Sequence, residues 1–331
     1  MNKINRVAII IPYFGTFPNY FNYWLKSALA NKDFTFFIFT DNTSYKTINN
    51  VKFINMQFKE FKDLLQKQID FPIYLNEPYK LCDYKPVYGC ALQDYIKEYE
   101  FWGFGDIDLI YGKLDHFITE NILNEYDKIY NLGHLTILRN CKKCNFLWKE
   151  RHHLKKAYRY DEAFRTPYIC HFDEAGGLTQ ISKFKKIKTY NLIDFGDIEY
   201  TKYNFVLYGR QNHVYKGLFK WKEGILTYIY LKKDQIISEE IGYAHFQKRQ
   251  LSIDFNKIKN KNEYIIIPNK ITYSENINKL LNEQKIEEHY PYYERNKLKM
   301  TLSKIKRHAI QQRIYRLCVK QIYRSILDKR Y

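Results

Sequence analysis

The chain has 331 residues, 45% of them hydrophobic and 18% aromatic, with only 13 glycines and 8 prolines, which excludes a disordered, collagen-like or linker-rich protein. Its formal charge of +18 implies an anionic partner: nucleic acid, an anionic lipid surface or a phosphorylated small molecule. The 6 cysteines are too scattered for a disulfide scaffold, and no apolar run approaches the roughly 18 residues of a membrane span, so a cytoplasmic protein with reduced thiols is expected.

Residues 7–11 (Val-Ala-Ile-Ile-Ile) form a β-branched run stopped by Pro12 and read as a buried strand. Phe17 to Leu29 predicts a helix, with Phe21, Trp24, Leu25, Ala28 and Leu29 at helical spacing. Phe34 to Thr40 predicts a second strand, ending at Asp41-Asn42. Strand, helix, strand in that order make a right-handed βαβ unit, which calls for a mixed α/β fold with a mainly parallel sheet flanked by helices. Such sheets bind ligands beyond the carboxyl ends of their strands, which puts Tyr13 and Asp41 at a binding edge.

Residues 56–70 read as helix, 76–90 as a polar and aromatic connection, and Leu92, Tyr95, Ile96 and Tyr99 as a helix face. Phe101 to Phe104 is a short apolar strand ending at Gly105-Asp106-Ile107-Asp108, followed by an extended stretch to Gly112 and a helix around 114–123. Further strands are expected at 129–131, 134–138, 225–231 and 242–246. A basic loop with helical turns is expected over 140–165, and a turn into a helix at 172–177. The expected organisation is one domain over 1–250, divided at 112, and an extension over 251–331.

Two carboxylates at i and i+2, Asp106 and Asp108, can act on one cation where the backbone turns after a strand. Mg2+ or Mn2+ prefers such hard oxygen ligands and keeps positions open for phosphate oxygens. A cation there neutralises a diphosphate leaving group. Gly103 and Gly105 would let the backbone approach a ligand closely. Alone, Asp-x-Asp is more often a solvated turn, so its context decides.

That context is a series of segments: Ile9 to Gly15 (Ile-Ile-Ile-Pro-Tyr-Phe-Gly), Thr40-Asp41-Asn42, and Pro78 to Pro86 (Pro-Tyr-Lys-Leu-Cys-Asp-Tyr-Lys-Pro). It continues with Phe101 to Asp108, Phe172 to Gly177 (Phe-Asp-Glu-Ala-Gly-Gly) and Tyr243 to Arg249 (Tyr-Ala-His-Phe-Gln-Lys-Arg). In this order and spacing, over residues 6–250, the chain resembles GT-A glycosyltransferases and, more narrowly, a bacterial family found in capsular and other surface-polysaccharide gene clusters. The resemblance implies a Rossmann-like GT-A fold. It also implies transfer of a sugar from a nucleotide-diphosphate donor, UDP-linked by analogy, to a glycan or lipid-linked acceptor. Asp106, Asp108 and His245 would then hold Mn2+ or Mg2+. Pro12, Tyr13, Asp41, Asp83, Lys85, Asp106, Lys248 and Arg249 would meet the nucleotide sugar, and Asp173 or Glu174 would act as general base in an inverting reaction. Each also has an ordinary structural alternative: a turn for Asp41, a helix cap for Asp173, a satisfied strand residue for His245.

Cys141-Lys142-Lys143-Cys144 with His152-His153 invites a zinc reading, but one such pair without a second reads as a basic loop. No Walker motif, Gly-x-Gly-x-x-Gly or Gly-x-Ser-x-Gly is present. Residues 294–331 hold 12 Lys/Arg against Glu294 and Asp328. Leu298, Leu302, Ile305 and Ala309, then Ile314, Leu317 or Cys318, Ile322 and Ile326, make an apolar stripe within them. Such a basic amphipathic helix suits an anionic membrane surface, giving a peripheral position on the inner face of the cell membrane, or packs on the domain with its charge outward. Two rival functions remain: a nucleic-acid-binding protein, which leaves the acidic pair unexplained, and a metal-dependent nucleotidyltransferase using the same carboxylates.

Overall fold

The computed structural model describes residues 6–209, 216–247, 249–259, 261–287 and 289–328. Strand β1 (Val7–Pro12) sends Val7, Ile9 and Ile11 to one face and Ala8 and Ile10 to the other. Strand β2 (Phe34–Thr40) repeats the pattern, with Phe34, Phe36 and Ile38 opposite Phe37 and Phe39. Both faces are covered, which is why neither run alternates with polar residues. Helix α1 (Phe21–Leu29) joins them and buries Phe21, Trp24 and Ala28. It starts at Phe21 rather than Phe17 because Phe21 N–H closes a turn on the Pro18 carbonyl at 2.9 Å.

Strand β3 (Val51–Asn55), absent from the sequence reading, is a half-buried edge, and helix α2 (Phe58–Gln66) follows it. Then come β4 (Phe101–Gly105), β5 (Leu109–Tyr111), β6 (Lys128–Leu132), β7 (Leu135–Arg139) and β8 (Thr189–Tyr190). The large sheet runs β3-β2-β1-β4-β7-β6-β8, its first four strands parallel and β7 antiparallel to both neighbours. The fold is therefore mixed α/β, with a mainly parallel sheet flanked by helices. Chain order reverses at β1, which lies between β2 and β4. The crevice beyond the carboxyl ends of β1 and β4 is thus the switch point where open sheets bind ligands.

The segment expected as a polar connection is interior instead. Pro78–Val87 is a 3-10 helix that continues into helical turns Tyr88–Ala91 and Gln93–Ile96, and it buries Leu81, Asp83, Tyr84 and Lys85. Downstream lie β9 (Gly196–Asp197), β10 (Gly217–Lys222), β11 (Ile225–Lys232), β12 (Gln235–Glu240), β13 (Tyr243–His245), β14 (Ser252–Ile253), β15 (Glu263–Ile267) and β16 (Lys270–Thr272). They form a six-stranded sheet, β12-β11-β10-β15-β16-β14, and with β5 a small sheet, β5-β13-β9. Because β10 pairs directly with β15, the boundary expected at residue 250 falls inside one sheet. A shared hydrophobic cluster runs from β1 and α1 to Trp221 and Tyr264, and Trp221 Nε1–H donates to the Tyr111 carbonyl at 3.0 Å. The tail is helical over Pro291–Lys306, Ala309–Ile314 and Lys320–Asp328, with a π-helical turn at Tyr315–Val319. Among the described residues no helix is long and apolar enough to cross a membrane.

Candidate active site

Strand β4 ends at the switch point, so Asp106 and Asp108 leave the sheet there. Asp106 N–H donates to the His134 carbonyl at 3.1 Å, which carries the pairing of β4 with β7 one residue beyond the strand. Gly103 owes its lack of a side chain to a neighbouring strand, not to a ligand: a Cβ would stand 2.5 Å from the Thr136 carbonyl of β7. Asp108 is set by the small sheet, where its carbonyl accepts from Phe246 N–H at 2.9 Å. His245 on β13 pairs opposite Leu109 of β5, and its Nε2 lies 3.5 Å from Asp108 Oδ1. Asp106, Asp108 and His245 thus offer ligand atoms all within 4.8 Å of one another. Two carboxylates and one imidazole suit Mn2+ or Mg2+, the imidazole favouring Mn2+.

Two residues that the sequence reading missed complete this centre. Asp197 on β9 pairs opposite His245 of β13, and its Oδ1 accepts from Gln247 Nε2 at 3.0 Å and stands 2.8 Å from His245 Nδ1. That contact fixes the ring so that Nε2 points toward Asp108. Asp197 Oδ2 also lies 3.9 Å from His134 Nε2, and the two histidine rings are 4.4 Å apart. His134 is 3% exposed and neither ring nitrogen has a hydrogen-bond partner among the described residues. Burial, reinforced by His245 and Lys85, pushes its pKa well down, so the ring is neutral. Burial works against charge on His245 too, but Asp108 and Asp197 outweigh it and hold its pKa up at about 10. A lone Gly-His between two strands and a lone Gly-Asp carry no local pattern, and only the topology brings them together.

Lys85 is not an exposed loop lysine. Its ammonium lies 2.5 Å from Asp106 Oδ1, 2.9 Å from the Gly133 carbonyl and 3.6 Å from Asp173 Oδ2. Burial opposes its charge, yet Asp106 and Asp173 raise its pKa above the ordinary lysine value. Asp173 is 3% exposed, its Oδ1 is buried without a hydrogen-bond partner among the described residues, and burial raises its pKa well above the carboxylate range. Glu174, half-buried, accepts from Gly133 N–H at 2.7 Å through Oε1. A Cβ at 133 would stand 2.3 Å from Asp173 Oδ2 and 2.8 Å from Glu174 Oε1, so a side chain there would displace both carboxylates.

Other expected contacts are placed differently. Asp83, expected at the nucleotide sugar, holds Lys80 instead: Oδ2 takes the Lys80 ammonium at 2.6 Å and Cys170 N–H at 2.9 Å, while Oδ1 takes Phe172 N–H at 2.8 Å. It is fully buried and braces the loop carrying Asp173. Arg249 is 3% exposed and directed inward, its guanidinium donating to the carbonyls of Glu199, Lys202 and Tyr203 rather than facing the acidic centre. Lys248 lies outside the described residues. Pro12 ends β1, and Tyr13 N–H donates to the Phe39 carbonyl at 2.8 Å while its ring stacks on Phe17. Asp41 Oδ1 accepts from Gly15 N–H at 2.7 Å and so shapes the turn after β1. Cys141, Cys144 and His152 join no possible metal-holding group among the described residues, and His152 packs against the Tyr158 carbonyl at 3.1 Å.

No curated protein matches the sequence. Among solved structures, the chain is similar to a galactosyltransferase, LgtC, in complex with donor and acceptor sugar analogs, at 13% identity and a TM-score of 0.33, over 58% of this chain and 75% of that one. It is similar to the glycosyltransferase GlyE of Streptococcus pneumoniae TIGR4 at 12% identity and a TM-score of 0.30, spanning 58% of this chain and less than half, 46%, of that one. Mouse xyloside xylosyltransferase 1 gives 9% identity and a TM-score of 0.35 over 58% of this chain and 88% of that one. Sequence places the chain more directly, since residues 9–275 match the model of a family of unknown function, and the protein belongs to that family, DUF6625.

Proposed function

We propose that this protein is a metal-assisted glycosyltransferase of the GT-A type that moves a sugar from a nucleotide-diphosphate donor, UDP-linked by analogy, to a glycan or lipid-linked saccharide. The observation that carries this reading is the convergence of Asp106, Asp108 and His245 at the switch point of the sheet, with Lys85, Asp173 and Glu174 beside them. When bound there, Mn2+ or Mg2+ supplies charge neutralisation for a diphosphate leaving group. Asp106, Asp108 and His245 hold that cation, and Asp197 orients His245. Lys85 keeps Asp106 and Asp173 in place through ion pairs of 2.5 and 3.6 Å. Tyr13 and Asp41 shape the edge on which the nucleotide lies. Glu174, the less buried of the two adjacent carboxylates, is the group that reaches an acceptor hydroxyl and takes its proton, while the unpartnered Asp173 oxygen receives a hydroxyl of the bound sugar.

Calorimetric titration of UDP, GDP and CDP with and without Mn2+ tests the reading, using the wild type and an Asp106→Asn/Asp108→Asn variant. Metal-dependent binding of one nucleotide, lost in the variant, is expected and names the donor class. A folded wild type that binds none of them overturns it. Release of pyrophosphate in place of nucleoside diphosphate during turnover would assign nucleotidyl transfer instead.

A further inference from the structure

The tail packs with a polarity opposite to that of an ordinary terminal helix. Apart from Tyr315, which packs on the core, its inward contacts are polar. Arg324, 1% exposed, gives Nε to Glu162 Oε1 at 2.6 Å, Nη2 to Glu162 Oε2 at 2.9 Å and Nη1 to the Leu154 carbonyl at 2.9 Å. Lys320, equally buried, donates to the carbonyls of Lys155 and Ala157, and Gln312 is buried beside this stripe. Large apolar side chains stand outward among its exposed cations: Leu298 is 71%, Leu302 57%, Ile314 55% and Leu317 75% exposed. Helix Pro291–Lys306 buries none of its residues. A helix stabilised by its own domain does the reverse, because covering leucine is favourable in proportion to area, whereas withdrawing a cation from water returns little net stability.

The outward residues also have an order. Leu298, Leu302 and Ile305 recur at i, i+4 and i+7, and Ile310, Ile314 and Leu317 repeat that spacing, so each helix presents one apolar stripe. Exposed Lys299, Lys304, Lys306 and Arg313 stand between and around the stripes.

We propose that residues 291–325 form a membrane-docking surface that lies in the interface of an anionic phospholipid bilayer, the stripes in the acyl boundary and the lysines on the phosphate headgroups. Charge selects this occupant over a second copy of the chain, which would bring one cationic rim against another. The surface borders the candidate site. Arg307, at the joint between the helices, pairs with Glu77 at 2.8 Å and stands over the Tyr79 ring at 4.8 Å, at the start of the segment that delivers Lys85. The docking surface stands independently of the transferase reading.

Sedimentation of the full chain with vesicles tests it, comparing phosphatidylglycerol-containing with pure phosphatidylcholine vesicles at low and high salt. Binding to the anionic vesicles and weaker binding to the neutral ones is expected. A Leu298→Ser/Leu302→Ser/Leu317→Ser variant, whose sites are exposed, should keep its circular dichroism and melting temperature and lose the vesicles. A Lys299→Gln/Lys304→Gln/Arg313→Gln variant should bind about a hundredfold more weakly and with less dependence on salt. Absence of vesicle binding, or undiminished binding by the serine variant, overturns the proposal. A dimer by light scattering that dissociates in the serine variant assigns the face to a second copy. Salt-sensitive binding of single-stranded DNA without vesicle binding assigns it to nucleic acid. Nucleotide titrations on the same preparations report separately on the transferase reading.

Discussion

Asp197 is the residue on which the geometry of the centre turns. Its carboxylate faces two imidazoles at once, and the shorter contact, 2.8 Å to His245 Nδ1, sets which nitrogen His245 presents to Asp108. Carboxylates behind ligating histidines change metal affinity about 10–100-fold when removed. Asp197→Asn should therefore weaken Mn2+ binding by that factor in calorimetry with little change in melting temperature; unchanged affinity would remove His245 from the ligand set. Lys128 on β6 offers a test by pH. It is fully buried with Asn131 Oδ1 at 2.6 Å, and burial, reinforced by Lys183, lowers its pKa to about 7. In the unfolded chain it titrates near 10.4, so between these values the folded state binds fewer protons and stability rises with pH. The cost is complete below about pH 7 and is relieved toward pH 10, at most about 5 kcal/mol in all. Lys128→Met should raise the melting temperature at pH 6 and lose that advantage by pH 10; an equal gain at both would refute the assignment. Asp106 and Asp108 could be read from sequence because their spacing is local. Asp197 and His134 could not, because each is single and its partners arrive from distant strands.

At the scale of elements, the segment Pro78–Val87 shows how a polar sequence becomes interior. Its Lys80 and Asp83 neutralise each other, and Asp83 also closes two backbone N–H groups of the loop that carries Asp173. Asp83→Ala would leave two buried amides unpaired and the Lys80 ammonium without a counter-charge, held only by the Ala163 and Tyr168 carbonyls, at a cost of about 3–5 kcal/mol. Urea denaturation should show that loss; a change below about 1 kcal/mol would mean the brace is replaceable. Strands β1, β2 and β4 were legible because β-branched and aromatic runs bounded by Pro12, Asp41 and Gly105 admit one reading. Pro78–Val87 was not, because mixed polar residues look solvated until their partners are known. The i, i+3 spacing of Lys80 and Asp83 was the available signal. Strand β3, short and half-buried at the edge, carries too little periodicity to be told from a loop.

On the scale of the whole molecule, the two larger sheets share one hydrophobic cluster, and Trp221 ties the six-stranded sheet to β5. Division of the chain at residue 250 is invisible in this packing, because the pairing of β10 with β15 crosses it. Sequence periodicity saw the strands of both sheets in part but not which edges meet. The small sheet β5-β13-β9 has a further consequence. Asp106 stands at the end of the large sheet, whereas His245 belongs to the small one, so the proposed ligands are contributed by two separate layers. A cation held by all three is a fastener between layers, and it binds the assembled protein far better than the unfolded chain. Mn2+ at a hundred times its dissociation constant should therefore stabilise the wild type by about 2.7 kcal/mol, read as a rise in melting temperature that the Asp106→Asn/Asp108→Asn variant lacks. Hydrogen exchange should slow in β5 and β13 together, since opening either layer first requires the clasp to let go.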